Sequence, residues 1–159
     1  MNIEGKVFVI TGAARGLGLA IGEAITSKGG SCALVDLDQA AVDAAAAICG
    51  NNSKGYVCNI TQESDVEALF EQVLMDFGRL DGLVNNAGLL RDGMLIKFKD
   101  GEVQGKMSLS QWQSVIDVNL TGTFLCGREG AIAMAKAGNG GGIINISSIA
   151  KAGNIGQSN

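Results

Sequence analysis

The sequence predicts an α/β domain in which a parallel β-sheet carries helices on both of its faces. Two observations lead to this fold class. Five short apolar segments, each typical of a buried strand, alternate with four segments of helical periodicity, which is the pattern of a βαβ series. Glycine-rich stretches lie at the junctions, and no internal repeat or flexible linker interrupts the series. With 159 residues, 47% of them apolar, we expect a single domain over residues 1–159.

The first half of the chain predicts three strands and two helices. Strands are expected over 6–11, 32–36 and 55–60, and helices over 16–28 and 39–48. The first helix has apolar residues at helical spacing from Leu17 to Ile25, and the pair Gly29-Gly30 after it is a common helix terminator.

The second half predicts two more strands and two more helices. The helix over 63–77 has the clearest apolar stripe, and Thr61 is its expected N-cap. A strand over 81–85 follows. Ser108 and Gln111 have the spacing of a capping box at the start of a long helix over 110–137, before a fifth strand over 142–147. Ligands of such sheets bind beyond the carboxyl ends of the strands, where the strand order reverses.

Composition excludes several classes of function. The sequence has no histidine, which excludes histidine-based triads and histidine-ligated metals, and its net charge of −4 argues against a nucleic-acid-binding surface. No apolar run is long enough to span a membrane. The four cysteines show no metal-site spacing, and no signal peptide precedes them. We therefore expect buried thiols in a cytoplasmic protein without a metal: Cys32, Cys49, Cys58 and Cys126.

The turn after the first strand is rich in glycine. Gly12, Gly16 and Gly18 remove Cβ atoms where the backbone turns sharply, and the helix that follows offers its N-terminal amides to an anion. The spacing lacks the Gly-Lys-Ser/Thr of a P-loop. Tight packing between strand and helix is the alternative explanation of these glycines.

Asp36 ends the second strand, 18 residues after Gly18. An acidic residue at this distance can accept both ribose hydroxyls of NAD and repel the 2′-phosphate of NADP. The alternative is that Asp36 caps the next helix. Arg15 is a signal in the opposite direction, because its guanidinium could meet a phosphate. The sequence favours NAD, with NADP as the weaker choice.

Three further polar groups lie at strand ends or in the long helix. Asn85-Asn86-Ala87-Gly88 closes the fourth strand, where amides can bond neighbouring strands, although the run could also be a simple turn. Asn119 competes with the helix backbone for hydrogen bonds, which suggests a functional contact or a helix distortion. Ser148, after Ser147, could bind a substrate oxygen or simply cap the next turn.

Together, the motifs at 11–18, 85–88, 117–120 and 144–148 resemble those of the classical short-chain dehydrogenases/reductases, most closely the 3-oxoacyl-(acyl carrier protein) reductases. The resemblance implies a Rossmann-type, doubly wound, three-layer α/β/α fold. It also implies that the pyrophosphate is bound by Gly12, Arg15, Gly16, Leu17 and Gly18, and the adenosine ribose by Asp36 and Leu37. It further implies that Asn59 and Ile60 lie at the adenine, and that the nicotinamide ribose is bordered by Asn86, Ala87 and Gly88. The family usually has Asp in place of Asn59.

The same resemblance implies part of a catalytic set. Asn119 matches the asparagine that holds a water in a proton relay, and Ser148 matches the serine that orients the carbonyl or alcohol. The family's general acid/base tyrosine, which is assisted by a lysine, would follow Asn159 directly, so we expect this fold to be incomplete at its C-terminus. Tyr56 and Lys151 do not match these two positions.

A segment between Gly88 and Trp112 is longer than expected for this branch. Asp100-Gly101, flanked by alternating apolar and charged residues, predicts a β-hairpin inserted at about 96–107. It could be a lid over the substrate or a solvated insertion without a role.

The sequence therefore predicts an oxidoreductase that moves a hydride between NAD(H) and a carbonyl or secondary alcohol, such as a 3-oxoacyl thioester. The alternative is a non-catalytic NAD-binding module or sensor. The resemblance implies a homo-oligomer, a tetramer or dimer, associated through the long helices.

Overall fold

The computed structural model describes residues 2–50, 52–156 and 158, and it contains the parallel α/β sheet. Within these residues the strands are β1 (Val7–Thr11), β2 (Ser31–Asp36), β3 (Ser53–Val57), β4 (Gly82–Asn85), β5 (Ile96–Lys99), β6 (Glu102–Lys106) and β7 (Gly142–Asn145). The α-helices are α1 (Gly16–Thr26), α2 (Gln39–Cys49), α3 (Glu63–Phe77), α4 (Leu109–Ile116) and α5 (Thr123–Ala137). A π-helical stretch, Asp117–Gly122, joins α4 to α5.

Five strands form one sheet in the order β3-β2-β1-β4-β7, and every pairing in it is parallel. Alternate residues of the strands point to opposite faces, so the sheet separates two apolar layers. Val9 and Leu83 belong to the layer that packs on α3 and α5, whereas Ile10 and Leu34 belong to the layer on α1 and α2. The strand order reverses between β1 and β4, which makes the carboxyl ends of these strands the expected place for a ligand.

Several predicted boundaries were wrong. The first helix ends at Thr26 rather than at residue 28, because Lys28 and Gly29 donate to carbonyls three residues back and tighten the chain into turns. The third strand is displaced from 55–60 to Ser53–Val57, because its register with β2 places Val57 opposite Asp36, where β2 ends. The fifth sheet strand ends at Asn145 rather than at residue 147.

The predicted N-cap Thr61 is also wrong, because its hydroxyl donates to Asn59 Oδ1 instead (2.9 Å). The helix begins one residue later than such a cap requires, with Gln62 at the N-cap position and no side-chain cap. Glu63 and Asp65 lie in the first turn, where negative charge favours the helix dipole. The amino end of α3 is therefore stabilised by charge instead of by a cap.

The amino ends of the strands meet at a buried carboxylate, Asp81, which is 1% exposed. It accepts hydrogen bonds from the backbone N–H of Val7 (2.9 Å), from Arg79 Nε and Nη2 (2.7 and 2.6 Å) and from Lys6 Nζ (3.2 Å). Burial raises the pKa of Asp81, but the hydrogen bonds from Arg79, Val7 and Lys6 outweigh burial and lower the pKa to about 2. The carboxylate thus joins β1 to the start of β4.

A β-hairpin, formed by antiparallel β5 and β6, projects between β4 and α4. Its turn residues Asp100 and Gly101 both have positive φ, 54° and 82°, as a two-residue hairpin turn of the right twist requires. The apolar side chains of Ile96, Phe98 and Val103 are exposed. In the described part of the chain, no helix has the length and apolar character that crossing a membrane demands.

Candidate functional site

A cleft of about 450 Å³ opens at the carboxyl ends of β1, β2 and β4, where the strand order reverses. Nine of the predicted cofactor-binding residues line it: Gly12, Arg15, Asp36, Leu37, Asn59, Ile60, Asn86, Ala87 and Gly88. The other three, Gly16, Leu17 and Gly18, form the first turn of α1. Five lining residues were missed, and each is close in sequence to a predicted one: Val35, Cys58, Thr61, Leu89 and Val118.

The glycine turn packs closely against the segment after β4. A Cβ on Gly12 would lie 2.8 Å from Ala87 Cα, and a Cβ on Gly18 would overlap Gly12 O and lie 2.7 Å from Asn86 Nδ2. Gly12 and Gly16 both have positive φ, +64° and +59°, but no atom lies within 4 Å of the Cβ position of Gly16. Close packing therefore explains Gly12 and Gly18, whereas Gly16 serves the shape of the turn.

The N-terminus of α1 has the chemistry of an anion site. Its N-cap, Arg15, has an extended backbone and makes no side-chain cap, so no side-chain oxygen competes for the amides of the first turn. Those amides and the positive end of the helix dipole suit a pyrophosphate. The residues present therefore fit the phosphate part of a dinucleotide.

Asp36 lies at the end of β2 and holds the glycine turn. Its Oδ2 accepts from the N–H of Ala14 (3.1 Å) and its Oδ1 from the N–H of Leu37 (2.8 Å). The alternative in which Asp36 caps the next helix is wrong, because Asp38 is the N-cap of α2 and accepts from Ala41 N (3.0 Å). Each carboxylate oxygen of Asp36 has a second lone pair, so the group can still accept from a pair of hydroxyls.

Asn86 and Thr11 interlock β1 with the segment after β4. The amide Nδ2 of Asn86 donates to the carbonyls of Thr11 (2.9 Å) and Gly12 (3.0 Å). In return, Thr11 Oγ1 accepts from the N–H groups of Asn86 and Ala87, at 3.0 Å each. The run is thus more than a simple turn, because its amides bond the neighbouring strand and fix the floor of the cleft.

At the opposite wall, Asn59 forms a local turn. Its Oδ1 accepts from both the N–H (3.2 Å) and the hydroxyl (2.9 Å) of Thr61. The acceptor of the Asn59 amide is therefore already engaged, which leaves the NH₂ as the group available to a ligand. Ile60 is buried, and its side chain lies against Gly122 at the end of the π-helical stretch.

Asn119 lies within the π-helical stretch and contacts the cleft wall. Its Oδ1 accepts from the N–H of Leu89 (2.7 Å), and its Nδ2 donates to the carbonyl of the same residue (3.0 Å). The helix is distorted at Asn119, as one of the two explanations requires, and the amide bonds the main chain of Leu89. A functional contact of Asn119 stays a prediction. The long predicted helix is in consequence two α-helices with a π-helical junction.

Comparison with known proteins agrees with this geometry. A family model described as short chain dehydrogenase matches residues 6–159. The chain belongs to the short-chain dehydrogenase family. The resemblance in the sequence motifs and the Rossmann-type fold that it implied are thereby confirmed.

Curated relatives of this chain include two kinds of enzyme. The 2,5-dichloro-2,5-cyclohexadiene-1,4-diol dehydrogenase of Sphingobium indicum is 35% identical over 94% of this chain and 56% of the relative. The 3-oxoacyl-[acyl-carrier-protein] reductase FabG of Escherichia coli (strain K12) is 36% identical over 100% of this chain and 62% of the relative. FabG of Haemophilus influenzae is 37% identical over 99% of this chain and 61% of the relative. The chain spans about three fifths of the length of these relatives.

Ser148 lies beyond β7 and does not line the cleft described above. Its Oγ accepts from the N–H of Ala150 (3.1 Å), which makes it the N-cap of a short 3₁₀ turn, Ile149–Ala152. The capping alternative for Ser148 is therefore observed. An accepting hydroxyl still has its own proton to donate, so the cap does not prevent a contact to a substrate oxygen.

Other reactive side chains are held in structural roles. The Tyr56 hydroxyl donates to Asp76 Oδ2 (2.6 Å), and burial together with this carboxylate raises the pKa of Tyr56 above its usual value. The ring packs against the core, but the hydroxyl end is at the surface. All four cysteines are buried and unpaired, and burial raises the pKa of Cys32, Cys58 and Cys126 to about 12. Within the described ranges, no group of acidic or thiol side chains could hold a metal ion.

Proposed function

We propose that this chain is the NAD-binding portion of an oxidoreductase that transfers a hydride between NAD(H) and a carbonyl or secondary alcohol, with a 3-oxoacyl thioester as the candidate substrate. The observation that carries the proposal is the cleft in which the carboxylate of Asp36 lies beside the uncapped N-terminus of α1. Family membership and the names of the dehydrogenase and reductase relatives support it.

In this proposal the chain's own residues bind and orient the cofactor, which when bound supplies the hydride. The first turn of α1 with Arg15 binds the pyrophosphate, and Asp36 accepts from the adenosine ribose. Asn59 and Ile60 lie at the adenine. Asn86, Ala87 and Gly88 border the nicotinamide ribose, on a floor that Thr11 holds in place.

The preference for NAD over NADP follows from charge. A 2′-phosphate close to the Asp36 carboxylate would cost about 1–4 kcal/mol for two unit charges 4 Å apart, depending on solvent exposure. This corresponds to a discrimination of roughly fivefold to 800-fold. Arg15 lines the same cleft and offsets part of this repulsion.

The proposed catalytic contributions of the chain are those of Asn119 and Ser148. Asn119 fixes the wall at Leu89 and holds a relay water, and Ser148 donates its hydroxyl proton to the substrate oxygen. We also propose a homo-oligomer, supported by exposed apolar residues in the π-helical stretch and in α5: Leu120, Phe124 and Ile132. Small molecules or acyl thioesters, rather than nucleic acid, fit the net charge of −4.

The alternative candidate is a non-catalytic NAD-binding module, in which the same cleft holds the dinucleotide. A module of this kind binds NADH without turning over a carbonyl substrate, so binding and turnover measured separately distinguish the two functions.

The experiment compares Asp36→Ala with Asp38→Ala. Both variants remove one carboxylate within the same loop, but Asp38 caps α2 and does not line the cleft. Titration calorimetry gives the dissociation constants of NADH and NADPH for each protein. We expect Asp36→Ala to lower the ratio of the NADPH constant to the NADH constant by about fivefold or more, and Asp38→Ala to leave it within twofold. An unchanged ratio in Asp36→Ala would overturn the NAD assignment, and wild-type protein that binds neither cofactor would overturn the function.

A further inference from the structure

Gln111 does not make the reciprocal capping contact that its sequence position predicts. Ser108 Oγ accepts from the N–H of Gln111 (3.1 Å), which is the first half of a capping box. The Gln111 side chain turns away from Ser108. Its Nε2 donates instead to the carbonyls of Arg91 (3.0 Å) and Asp92 (3.2 Å).

This contact is the middle one of three along the segment that joins the cleft to the hairpin. Asn119 holds Leu89 at one end of the segment. At the other end, Ser158 donates its N–H to the carbonyl of Gly93 (3.1 Å), and its Oγ accepts from the N–H of Leu95 (2.8 Å). All three holding groups bond main-chain atoms. The segment is therefore fixed at intervals of about two residues between Gly88 and β5.

Gly93 shows how closely this contact is packed. A Cβ at Gly93 would lie 2.7 Å from Gln111 Nε2 and 3.2 Å from Met107 Cε. Any larger residue at position 93 must therefore displace the Gln111 amide or the segment itself. The close approach couples the Gln111 side chain to the base of the hairpin on both of its strands, since Met107 directly follows β6.

We propose that Gln111 is a positioning residue that fixes the base of the 96–106 hairpin relative to the cleft. This proposal rests on the proposed function only because it treats the hairpin as part of the substrate side of the site. Since Leu89 is held separately by Asn119, loss of the Gln111 contact loosens the hairpin base and leaves the cofactor side of the cleft in place.

Two substitutions separate this role from an ordinary role in the helix. In Gln111→Glu the side chain keeps its size but loses the donor, whereas in Gln111→Lys it keeps a donor. Gln111 is the third residue of the α4 first turn, where Glu favours the helix through the capping box and the dipole, and Lys does not. If Gln111 acted only through the helix, Gln111→Glu would be better protected from hydrogen exchange than Gln111→Lys. The positioning role predicts the opposite order.

The measurement is amide hydrogen exchange, followed by mass spectrometry, over residues 91–106. We expect Gln111→Glu to speed exchange in this segment by at least tenfold and Gln111→Lys to restore most of the protection. The matched controls are Gln113→Glu and Gln113→Lys, because the Gln113 amide contacts only Asp117 of its own helix among the described contacts (2.7 Å). Exchange in the Gln113 variants should match the wild-type protein. Equal protection in the two Gln111 variants, or better protection in Gln111→Glu, would overturn the proposal.

A double-mutant cycle and a binding measurement complete the test. Gly93→Ala alone should speed exchange as Gln111→Ala does, and the double variant should be no faster than either, because both remove the same contact. Additive effects would overturn the proposal. The NADH dissociation constant of Gln111→Glu should stay within twofold of wild type, and a loss of NADH binding in this variant alone would overturn it. Failure of the wild-type protein to bind NADH would instead contradict the proposed function, because the exchange results do not depend on the cofactor.

Discussion

The buried carboxylate of Asp81 offers a direct test of how the sheet is held at its amino end. We consider the substitution Asp81→Asn, which keeps the size of the side chain and removes its charge. The native carboxylate accepts from the N–H of Val7 and from the Arg79 and Lys6 side chains. An amide cannot accept at both of its terminal atoms, so at least one of these donors loses its partner. We expect the free energy of unfolding to fall.

The magnitude follows from the pKa and from the exposure of the partners. A shift of the pKa of Asp81 from 3.8 in the unfolded chain to about 2 in the folded state contributes about 2 kcal/mol at neutral pH. Removal of one member of a fully buried ion pair costs about 3–5 kcal/mol. Arg79 and Lys6 are 41% and 30% exposed and can be rehydrated, so we expect the lower value, about 2–3 kcal/mol.

The pH dependence has a defined sign. Because the folded-state pKa of Asp81 lies below the unfolded one, its contribution to stability is complete above about pH 4 and is lost as the pH falls toward 2. The difference in stability between wild type and Asp81→Asn should therefore shrink over this window.

Urea unfolding at pH 7 and at several values down to pH 2.5 measures both effects, with Asp100→Asn as the control. Asp100 is 82% exposed and pairs only loosely with Lys99 (3.9 Å), so its substitution should change the free energy of unfolding by less than about 0.5 kcal/mol. The reasoning fails if Asp81→Asn costs no more than this control, or if its deficit is the same at pH 7 and at pH 2.5.

Two further predictions concern the cleft. Gly18→Ala should lose at least about 1–3 kcal/mol of stability and weaken NADH binding tenfold or more, because the new methyl group would overlap Gly12 O. The control is Gly127→Ala, at a helix position with no atom within 4 Å of the Cβ, which should gain about 0.5–1 kcal/mol of stability. Thermal unfolding measures the stability of the two variants, and calorimetry measures their NADH binding. Equal behaviour of the two variants would contradict the packing argument. Asn59→Asp should tighten NADH binding by about tenfold. One carboxylate oxygen keeps the Thr61 bonds, and the other offers the adenine amino group a charged acceptor. Unchanged or weaker NADH binding in this variant would contradict the placement of adenine beside residue 59.

Much of the fold could be predicted because strand burial and helix periodicity are local signals. The helix Glu63–Phe77 has the bounds that its apolar stripe predicts. The hairpin turn at Asp100-Gly101 has the positive φ angles that these residue types favour. The third strand was misplaced because an edge strand carries polar residues such as Lys54, and its ends depend on the register with β2. Register is a property of two strands and is absent from either one alone.

The site was less completely predictable, for a related reason. The residue types at the strand ends indicated the cleft, and Asp36 and Asn86 lie where a ligand would meet them. The partner of a long polar side chain, however, is chosen among several nearby groups. The capping-box spacing predicts a bond from the Gln111 side chain back to Ser108, but this side chain bonds the carbonyl of Arg91 instead. Thr61 was expected to cap the helix, but its hydroxyl bonds Asn59. Only the three-dimensional arrangement shows which acceptor the side chain bonds.

The two hydrogen bonds between Asn119 and Leu89 reproduce the pairing between opposite residues of neighbouring strands, with a side-chain amide in place of one strand. Since this pairing and the contacts of Gln111 and Ser158 all involve backbone atoms, they accept any side chain at residues 89, 92 and 95, except proline at 89 and 95, which would remove a donating N–H. This rim of the cleft can therefore accumulate substitutions without losing its shape. Mutational libraries that aim to change substrate choice could begin at these three positions, with Gly93 held constant.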